Sequence, residues 1–279
     1  MGRELAKHLL AAGHQLTVWN RTAAATDSLT DVGAVCADTP EHAAQGQDIV
    51  ITCLFGPDTV HDVILNNDVL APGTLWLDIT TVGPDDADHF AAWAQQHGIR
   101  YVAGPVVGSL APARAKKLGV YLGGAPADVA EARPFAALWA DPERLVEVPT
   151  PRAAAVGKLL ANLALGVALE GLVEALRFGR ALGVGTADVL KMLKSTALNW
   201  IVDFKSSMIL DNSFADTQFS VDLLAKDARL MLSAVPETAQ AHTAINLPAV
   251  QALLATLETT QQAGHGDYDI AAAVIPELD

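Results

Sequence analysis

The first residues of the chain have the order helix, glycine, strand. Apolar side chains recur at helical spacing over residues 2–12, Gly13 ends this segment, and residues 15–19 form a short apolar and β-branched run. In a βαβ unit that binds a dinucleotide, a first strand and the turn G-x-G-x-x-G precede such a helix. Gly2 takes the place of the third glycine, which lets the helix pack closely on the sheet. The start of the chain therefore predicts an α/β fold with a dinucleotide site.

The first strand and the first two glycines of that unit would lie upstream of Met1. In a Rossmann-like sheet with the strand order 3-2-1-4-5-6, this strand is the central one, so without it two strand edges face a gap. A strand and a tight glycine turn amount to roughly ten residues. We expect that Met1 is a misassigned start and that the complete protein is longer.

Up to about residue 150 the sequence alternates short apolar strands with alanine-rich helices, which is typical of a parallel sheet covered by helices. The predicted strands are 15–19, 33–36, 48–54, 74–78, 99–103 and 118–123. The predicted helices are 2–12, 23–31, 40–45, 58–64, 84–97 and 126–139. We expect a Rossmann-like, doubly wound sheet in a cofactor-binding domain of residues 1–150.

The pattern changes at the two prolines of Val148-Pro149-Thr150-Pro151. One helical run then covers residues 152–182, and further helices are predicted at 186–194, 198–210, 219–234, 237–242 and 247–263. We expect an all-helical domain of residues 151–279 for substrate binding and dimerisation. The long helix is apolar nearly all round and must be buried on most faces. A homodimer interface would supply that cover; the alternative is packing within the domain alone.

Composition and charge exclude several classes of function. The net charge of −14 disfavours binding to nucleic acid, and an anionic ligand would need local positive charge. Apolar stretches are broken well before the roughly 18 residues that cross a bilayer, so we expect no membrane partner and a cytoplasmic location. The histidines and cysteines lack metal-ligand spacing, so no metal is expected. Cys36 and Cys53 are predicted to be buried free thiols.

Two polar side chains stand out in the long helix. Lys158 and Asn162 are four residues apart and therefore share one face in an apolar neighbourhood. An ammonium group is costly to bury, and desolvation would lower the pKa of Lys158 towards the range useful for proton transfer. The alternative is a lysine that extends to solvent and an asparagine bonded to the backbone.

Six short motifs occur in an order that resembles one known family. They are Met1-Gly2 through Asn20-Arg21-Thr22, Leu77-Asp78-Ile79-Thr80-Thr81-Val82, Gly104-Pro105-Val106-Val107-Gly108-Ser109, Gly157-Lys158 with Asn162, Phe219 through Lys226-Asp227, and Gly266-Asp267-Tyr268-Asp269. With them the chain resembles the β-hydroxyacid dehydrogenases, which include 3-hydroxyisobutyrate dehydrogenases and glyoxylate or succinic semialdehyde reductases. The resemblance runs nearly end to end and implies an NAD(P)-dependent oxidoreductase with a C-terminal domain like that of 6-phosphogluconate dehydrogenase.

The resemblance implies a role for each site residue. Lys158 would donate a proton to the carbonyl oxygen during reduction and accept the hydroxyl proton during oxidation. Asn162 would hold the substrate oxygen or orient the lysine, and Asp227 with Lys226 would form the far wall of the site. The residues implied to bind substrate are Thr81, Val107, Gly108, Ser109 and Phe219, of which Phe219 could equally be plain core. The residues implied to bind the cofactor are Met1, Gly2, Asn20, Arg21, Thr22, Leu54, Thr81 and Lys226.

The second strand ends in Asn20-Arg21-Thr22 and has no carboxylate for the ribose hydroxyls. Because a 2′-phosphate favours a guanidinium, we expect NADPH to be preferred over NADH. The alternative is that Arg21 is a solvated turn residue.

One departure from the family concerns Val107, which stands where a serine usually binds the substrate carboxylate. Valine supplies no hydrogen bond, so a less polar aldehyde, ketone or imine becomes a plausible substrate. Imine reductases related to the family usually have Asp or Tyr in place of the lysine, and Lys158 argues against that alternative. A non-catalytic dimeric scaffold that has lost its cofactor site is the third possibility. The set Thr81, Lys158, Asn162 and Asp227 argues against it, and the absence of the first strand argues for it.

Overall fold

The computed structural model describes residues 1–67, 69–235 and 246–278. The chain divides into two compact units, Met1–Lys158 and Leu159–Asp279. Each unit has its own buried apolar core. The helix predicted at 237–242 lies outside the described residues.

The first unit is built on two separate sheets. Its strands are β1 (Thr17–Val18), β2 (Val35–Cys36), β3 (Ile49–Thr52), β4 (Leu75–Asp78), β5 (Arg100–Ala103), β6 (Val106–Val107), β7 (Leu118–Gly124) and β8 (Ala140–Val148). Strands β1 and β2 pair in parallel as a small sheet, while β3, β4 and β5 pair in parallel in the larger one. Among the described strands, none joins β1 to β3, so the two sheets are separate at the place where the sequence predicts a gap.

The predicted α/β class is confirmed and β3, β4 and β5 form the predicted parallel part, but the larger sheet as a whole is mixed rather than parallel. Strand β7 runs antiparallel to β5 and β6 and parallel to β8. The sequence predicts neither β6 nor β8. Strand β8 has the residues ADPERLVEV, mostly exposed or half-buried, because it lies at the edge of the sheet. Charged side chains and a proline are usual on such an edge strand, and they hide the alternation that identifies a strand.

The helices of the first unit follow the predicted alternation, except for the unpredicted α6. They are α1 (Gly2–Ala11), α2 (Asp27–Thr30), α3 (Pro40–Ala44), α4 (Pro57–Val60), α5 (Pro84–Gln96), α6 (Leu110–Arg114), α7 (Pro126–Ala136) and the start of α8 (Pro151–Ala181). A 3-10 turn at Ala23–Thr26 precedes α2, and a π-helical turn at His61–Leu65 follows α4.

The two faces of β7 carry different layers. Val120 packs with side chains of α7 in one apolar cluster. On the other face, Cβ atoms added to Gly123 and Gly157 would lie 3.1 Å from Cβ of Ala154 and from the ring of Tyr121, respectively. The start of α8 therefore covers the face of the sheet opposite α7.

The second unit is all-helical within the described residues. Its helices are the rest of α8, α9 (Thr186–Leu193), α10 (Asn199–Leu210), α11 (Val221–Ser233) and α12 (Pro248–Gln262), followed by a 3-10 segment at Ile270–Glu277. One side of α8 packs into their common core through Leu169, Leu172, Val173 and Leu176.

Helix α8 is long and apolar enough to cross a membrane when only length and composition are considered, with a mean hydropathy of 1.7 over 18 residues. Some of its apolar residues, among them Leu169, Leu172, Val173 and Leu176, are nevertheless part of the core of the second unit. We interpret α8 as a core helix, because the core helix of a globular protein has the same length and composition.

Candidate active site

Helix α1 begins where the sequence predicts the cofactor phosphates. Gly2 is its first residue, and a Cβ atom added there would lie 3.3 Å from Cβ of Cys53, just after β3. No side-chain bond caps this helix, whose N-cap residue is Met1. The N–H groups and the dipole at such an end attract phosphate. Met1 and Gly2 therefore fit the pyrophosphate of a dinucleotide.

Both cysteines are free thiols, as predicted, but only Cys53 is partly shielded from solvent. Burial raises the pKa of the Cys53 thiol, so this side chain stays protonated beside α1. Cys36 is exposed, which corrects the prediction that it is buried. The small sheet of β1 and β2 leaves both residues of β2 uncovered.

The residues after β1 form an exposed turn. Nδ2 of Asn20 donates a hydrogen bond to the carbonyl oxygen of Thr22, 2.9 Å away, and Arg21 between them is exposed. The guanidinium of Arg21 is therefore accessible to solvent at the end of this strand.

A buried polar network joins the carboxyl ends of β3 and β4. Asp78 accepts hydrogen bonds at Oδ1 from Oγ1 of Thr52 (2.7 Å) and from the backbone N–H of Thr80 (3.0 Å). The hydroxyl of Tyr101 lies 3.4 Å from its Oδ2. Burial raises the pKa of Asp78, and these hydrogen bonds oppose the rise. The sequence alone gives Asp78 no separate role, because a single Asp after an apolar strand does not identify its partners.

This network reaches Leu54 and lies next to Thr81 in the sequence, and both are predicted site residues. The N–H of Leu54 donates to Oγ1 of Thr80 at 3.0 Å, so the segment after β3 is tied to the segment after β4. Thr81 follows directly and is half-buried. Leu54 and Thr81 thus lie on two neighbouring strand ends, where open α/β sheets bind their ligands.

The predicted substrate loop lies between β6 and α6. Val107 is half-buried on β6 and pairs with Gly119 of β7. Gly108 has a φ of +134°, and a Cβ atom there would come within 2.7 Å of Leu118, so this turn requires glycine. The hydroxyl of Ser109 is buried and has no hydrogen-bond partner among the described residues.

Lys158 is buried on the first part of α8, next to Gly157. Since Gly157 contacts Tyr121 of β7, Lys158 belongs to the layer over that face of the sheet. Lys158 and Thr81 each interact with other groups of the protein. The first unit thus carries the predicted lysine, the predicted threonine and the predicted loop.

In the second unit, the predicted asparagine and aspartate meet directly. Nδ2 of Asn162 donates to Oδ2 of Asp227 at 2.5 Å, and Nζ of Lys226 lies 2.8 Å from Oδ1. Although Lys226 forms an ion pair at Oδ1, this oxygen accepts no hydrogen bond of good geometry from the described residues. Asp227 is buried and Lys226 is half-buried. The three side chains form one polar cluster between α8 and α11.

A second buried pair, which no sequence motif predicts, lies near Phe219. Nζ of Lys205 on α10 is 2.7 Å from Oδ1 of Asp269, and both side chains are fully buried. Asp269 also accepts the N–H groups of Gln218 and Phe219 at Oδ2 and of Ala271 at Oδ1. Phe219 is half-buried against the core, so the structure leaves both interpretations of this residue open.

Comparison with known proteins gives two family matches that together cover nearly the whole chain. Residues 1–147 match the family described as "NAD binding domain of 6-phosphogluconate dehydrogenase". Residues 153–276 match the family described as "NAD-binding of NADP-dependent 3-hydroxyisobutyrate dehydrogenase". The boundary between the matches lies at the start of α8.

Individual proteins agree with these matches. An uncharacterized oxidoreductase of Shewanella frigidimarina is 31% identical over 83% of this chain and 81% of its own length. The NAD-dependent L-serine dehydrogenase of Pseudomonas aeruginosa is 30% identical over 97% and 92% of the two chains. The structure of 3-hydroxyisobutyrate dehydrogenase from Mycobacterium tuberculosis with L-serine covers 99% of this chain and 95% of its own, with a TM-score of 0.82 and 23% identity. This last similarity concerns the fold.

Proposed function

This chain belongs to the β-hydroxyacid dehydrogenase family and is an NAD(P)-dependent oxidoreductase, and we propose that Lys158 is its general acid/base. The substrate is a small carbonyl or hydroxy compound. The observation that carries the proposal is that Lys158 is buried on the part of α8 that covers the sheet. The same unit also holds Thr81 and the loop at Val107. The predicted threonine and the predicted loop in the same unit, and not burial alone, support this role.

The proposed chemistry divides between the cofactor and the side chains. When bound, the nicotinamide supplies or accepts the hydride. During reduction Lys158 donates a proton from Nζ to the oxygen that becomes the hydroxyl group, and during oxidation neutral Lys158 accepts that proton. Asn162, held by Asp227, orients the substrate oxygen or the lysine. Lys226 balances the charge of Asp227.

We propose that the enzyme prefers NADPH to NADH. The exposed Arg21 and the absence of any acidic side chain in residues 19–22 support this preference. In enzymes that prefer NADH, a carboxylate at this strand end accepts bonds from the ribose hydroxyls. The test is the ratio of kcat/KM for the two cofactors in the wild type and in Arg21→Gln. A ratio near unity in the wild type, or one that Arg21→Gln leaves unchanged, would contradict the proposal.

A second candidate function is imine reduction, which Val107 favours because its side chain cannot hydrogen-bond a carboxylate. Lys158 favours the carbonyl reaction instead. NADPH-dependent assays with succinic semialdehyde and with a cyclic imine separate the two, and we expect turnover of the semialdehyde. Turnover of the imine alone would replace the proposed function by the second one.

We also propose that the protein is a cytoplasmic homodimer. Leu160, Val167 and Phe178 are 61%, 37% and 69% exposed at positions that recur along one face of α8. A second copy of the chain would cover this stripe of apolar side chains. Light scattering after gel filtration should give about twice the chain mass of 29.2 kDa, whereas a monomer at all concentrations would refute the dimer.

A further inference from the structure

We propose that Arg144 binds the carboxylate of the substrate and thereby supplies the recognition that Val107 cannot. The inference rests on the proposed function and deepens it, because it names a side chain that selects between substrates. The substrates that Arg144 would favour are carbonyl compounds with a carboxylate at the far end of a short chain.

The guanidinium of Arg144 lies across a glycine from Val107. A Cβ atom added to Gly119 would be 3.2 Å from Nη2 of Arg144 and 3.3 Å from Cβ of Val107. Arg144 and Val107 therefore flank the same point of β7 on the same face of the sheet. The space between them exists because residue 119 has no side chain.

The register of β7 and β8 places Arg144 on the face that α8 covers. Val120 pairs with Leu145, and Tyr121 pairs with Val146. Side chains alternate between faces along a strand, so Arg144 belongs to the face of Tyr121. On that face α8 contacts Gly123 through its residue 154 and Tyr121 through its residue 157. The helix thus proceeds along β7 towards Gly119, and Lys158 is its next residue.

No carboxylate among the described residues forms an ion pair with Arg144. Its Nη1 donates a hydrogen bond to the carbonyl oxygen of Lys117 at 3.1 Å, which fixes the guanidinium and leaves Nη2 near Gly119. In a chain with a net charge of −14, an exposed arginine without an acidic partner is a local site for an anion. The buried hydroxyl of Ser109, two residues after Val107, is a further donor without a partner among the described residues.

A guanidinium suits a carboxylate because its N–H groups form charge-assisted hydrogen bonds with both oxygens. A substrate held in this way has its carboxylate at Arg144 and its carbonyl group towards Lys158. Arg144 is a binding residue in this account and takes no part in proton transfer.

The test compares two aldehydes of the same chain length, succinic semialdehyde with a carboxylate and butanal without one. For Arg144→Gln we expect KM for succinic semialdehyde to rise about tenfold or more, the effect of losing one charge-assisted contact of about 1.5–3 kcal/mol. KM for butanal and kcat for both substrates should change little. Arg144→Lys keeps the positive charge but not the paired N–H groups. Its KM for succinic semialdehyde should lie between the KM of the wild type and that of Arg144→Gln.

The matched control is Arg133→Gln, which removes the same charge from the opposite face of the sheet. Arg133 forms an exposed ion pair with Glu147 of β8, 3.0 Å away. We expect this variant to have the wild-type KM for both aldehydes. The proposal would be overturned if Arg144→Gln changed KM equally for the two aldehydes or left both KM values unchanged. It would also be overturned if Arg133→Gln changed KM for succinic semialdehyde as much as Arg144→Gln does.

Binding of succinate to the NADP⁺-loaded protein, measured by calorimetry, separates this inference from the proposed function. If neither aldehyde is reduced by the wild type, the proposed function fails, and the titration still decides the role of Arg144. Succinate bound by the wild type and at least about tenfold more weakly by Arg144→Gln supports the role. No binding to the wild type, or equal binding to both proteins, contradicts it.

Discussion

Two lysine–aspartate pairs in the second unit have the same chemistry but different surroundings. In the Lys205–Asp269 pair both side chains are fully buried, and Asp269 also accepts three backbone N–H groups. In the Lys226–Asp227 pair the lysine is partly exposed, and the aspartate accepts a hydrogen bond from Asn162. The charged groups of the first pair have their partners within the fold and no exposed surface. In the second pair Lys226 is partly exposed, so a ligand can reach it.

The difference shows that a buried charge does not by itself indicate catalysis. Asp269 joins α10, the segment at Phe219 and the C-terminal 3-10 segment, so it has a structural role. Asn162 donates a hydrogen bond to Asp227, and the neighbouring Lys226 is partly exposed. A polar cluster with an exposed member is accessible to a ligand, which is what a binding site requires.

The largest effect is expected from Lys205→Met. The variant leaves the carboxylate of Asp269 buried without its cation, and breaking such a pair costs about 3–5 kcal/mol of unfolding free energy. Urea denaturation measures the loss. The double variant Lys205→Met/Asp269→Asn should be less destabilised than the single one, because no charge remains buried. A loss of unfolding free energy below about 1 kcal/mol in Lys205→Met, as for an exposed pair, would contradict the structural role of the Lys205–Asp269 pair.

A smaller effect on stability, but a clear one on activity, is expected from Asn162→Ala. Loss of one hydrogen bond to a charged group costs about 1.5–3 kcal/mol, which corresponds to about 10–100-fold in kcat/KM if the bond serves the reaction. Steady-state kinetics and urea denaturation of the same sample separate the two effects. Wild-type kcat/KM in this variant would place Asn162 among the structural residues.

The smallest effect is expected from Asp78→Asn, and it depends on pH. The pKa of Asp78 is raised in the folded protein, so the unfolded chain loses this proton first as pH rises from about 4. Wild-type stability therefore falls as pH rises through the window between the two pKa values. In Asp78→Asn there is no carboxyl group at this position, so this contribution to the pH dependence of stability is absent. The difference in unfolding free energy between wild type and variant should be larger at pH 4.5 than at pH 7.5; the opposite order would contradict the assignment.

The sequence predicts those parts of the molecule whose pattern is local. Helices such as α1 and α8 follow from periodicity, and β3, β4 and β5 follow from apolar runs. Strand β8 does not, because its pairing with β7 decides its conformation although its residues are charged. The antiparallel direction of β7 likewise depends on contacts distant in sequence.

The site shows the same division. The contact between Asn162 and Asp227 joins residues that the resemblance names. Arg144, by contrast, lies on the strand that the sequence fails to predict, opposite a glycine whose importance only the register reveals. Asp269 belongs to a quoted motif, but its partner Lys205 lies 64 residues away in sequence and has no motif around it.

The most direct test of the central claim is a single-turnover measurement of NADPH oxidation by Lys158→Ala with saturating succinic semialdehyde. Loss of a general acid lowers the rate of the chemical step by about 10²–10⁴-fold, and NADPH affinity measured by fluorescence titration should stay at the wild-type value. A rate within about tenfold of the wild type, with NADPH bound normally, would be too small a loss for a general acid and would contradict the role assigned to Lys158.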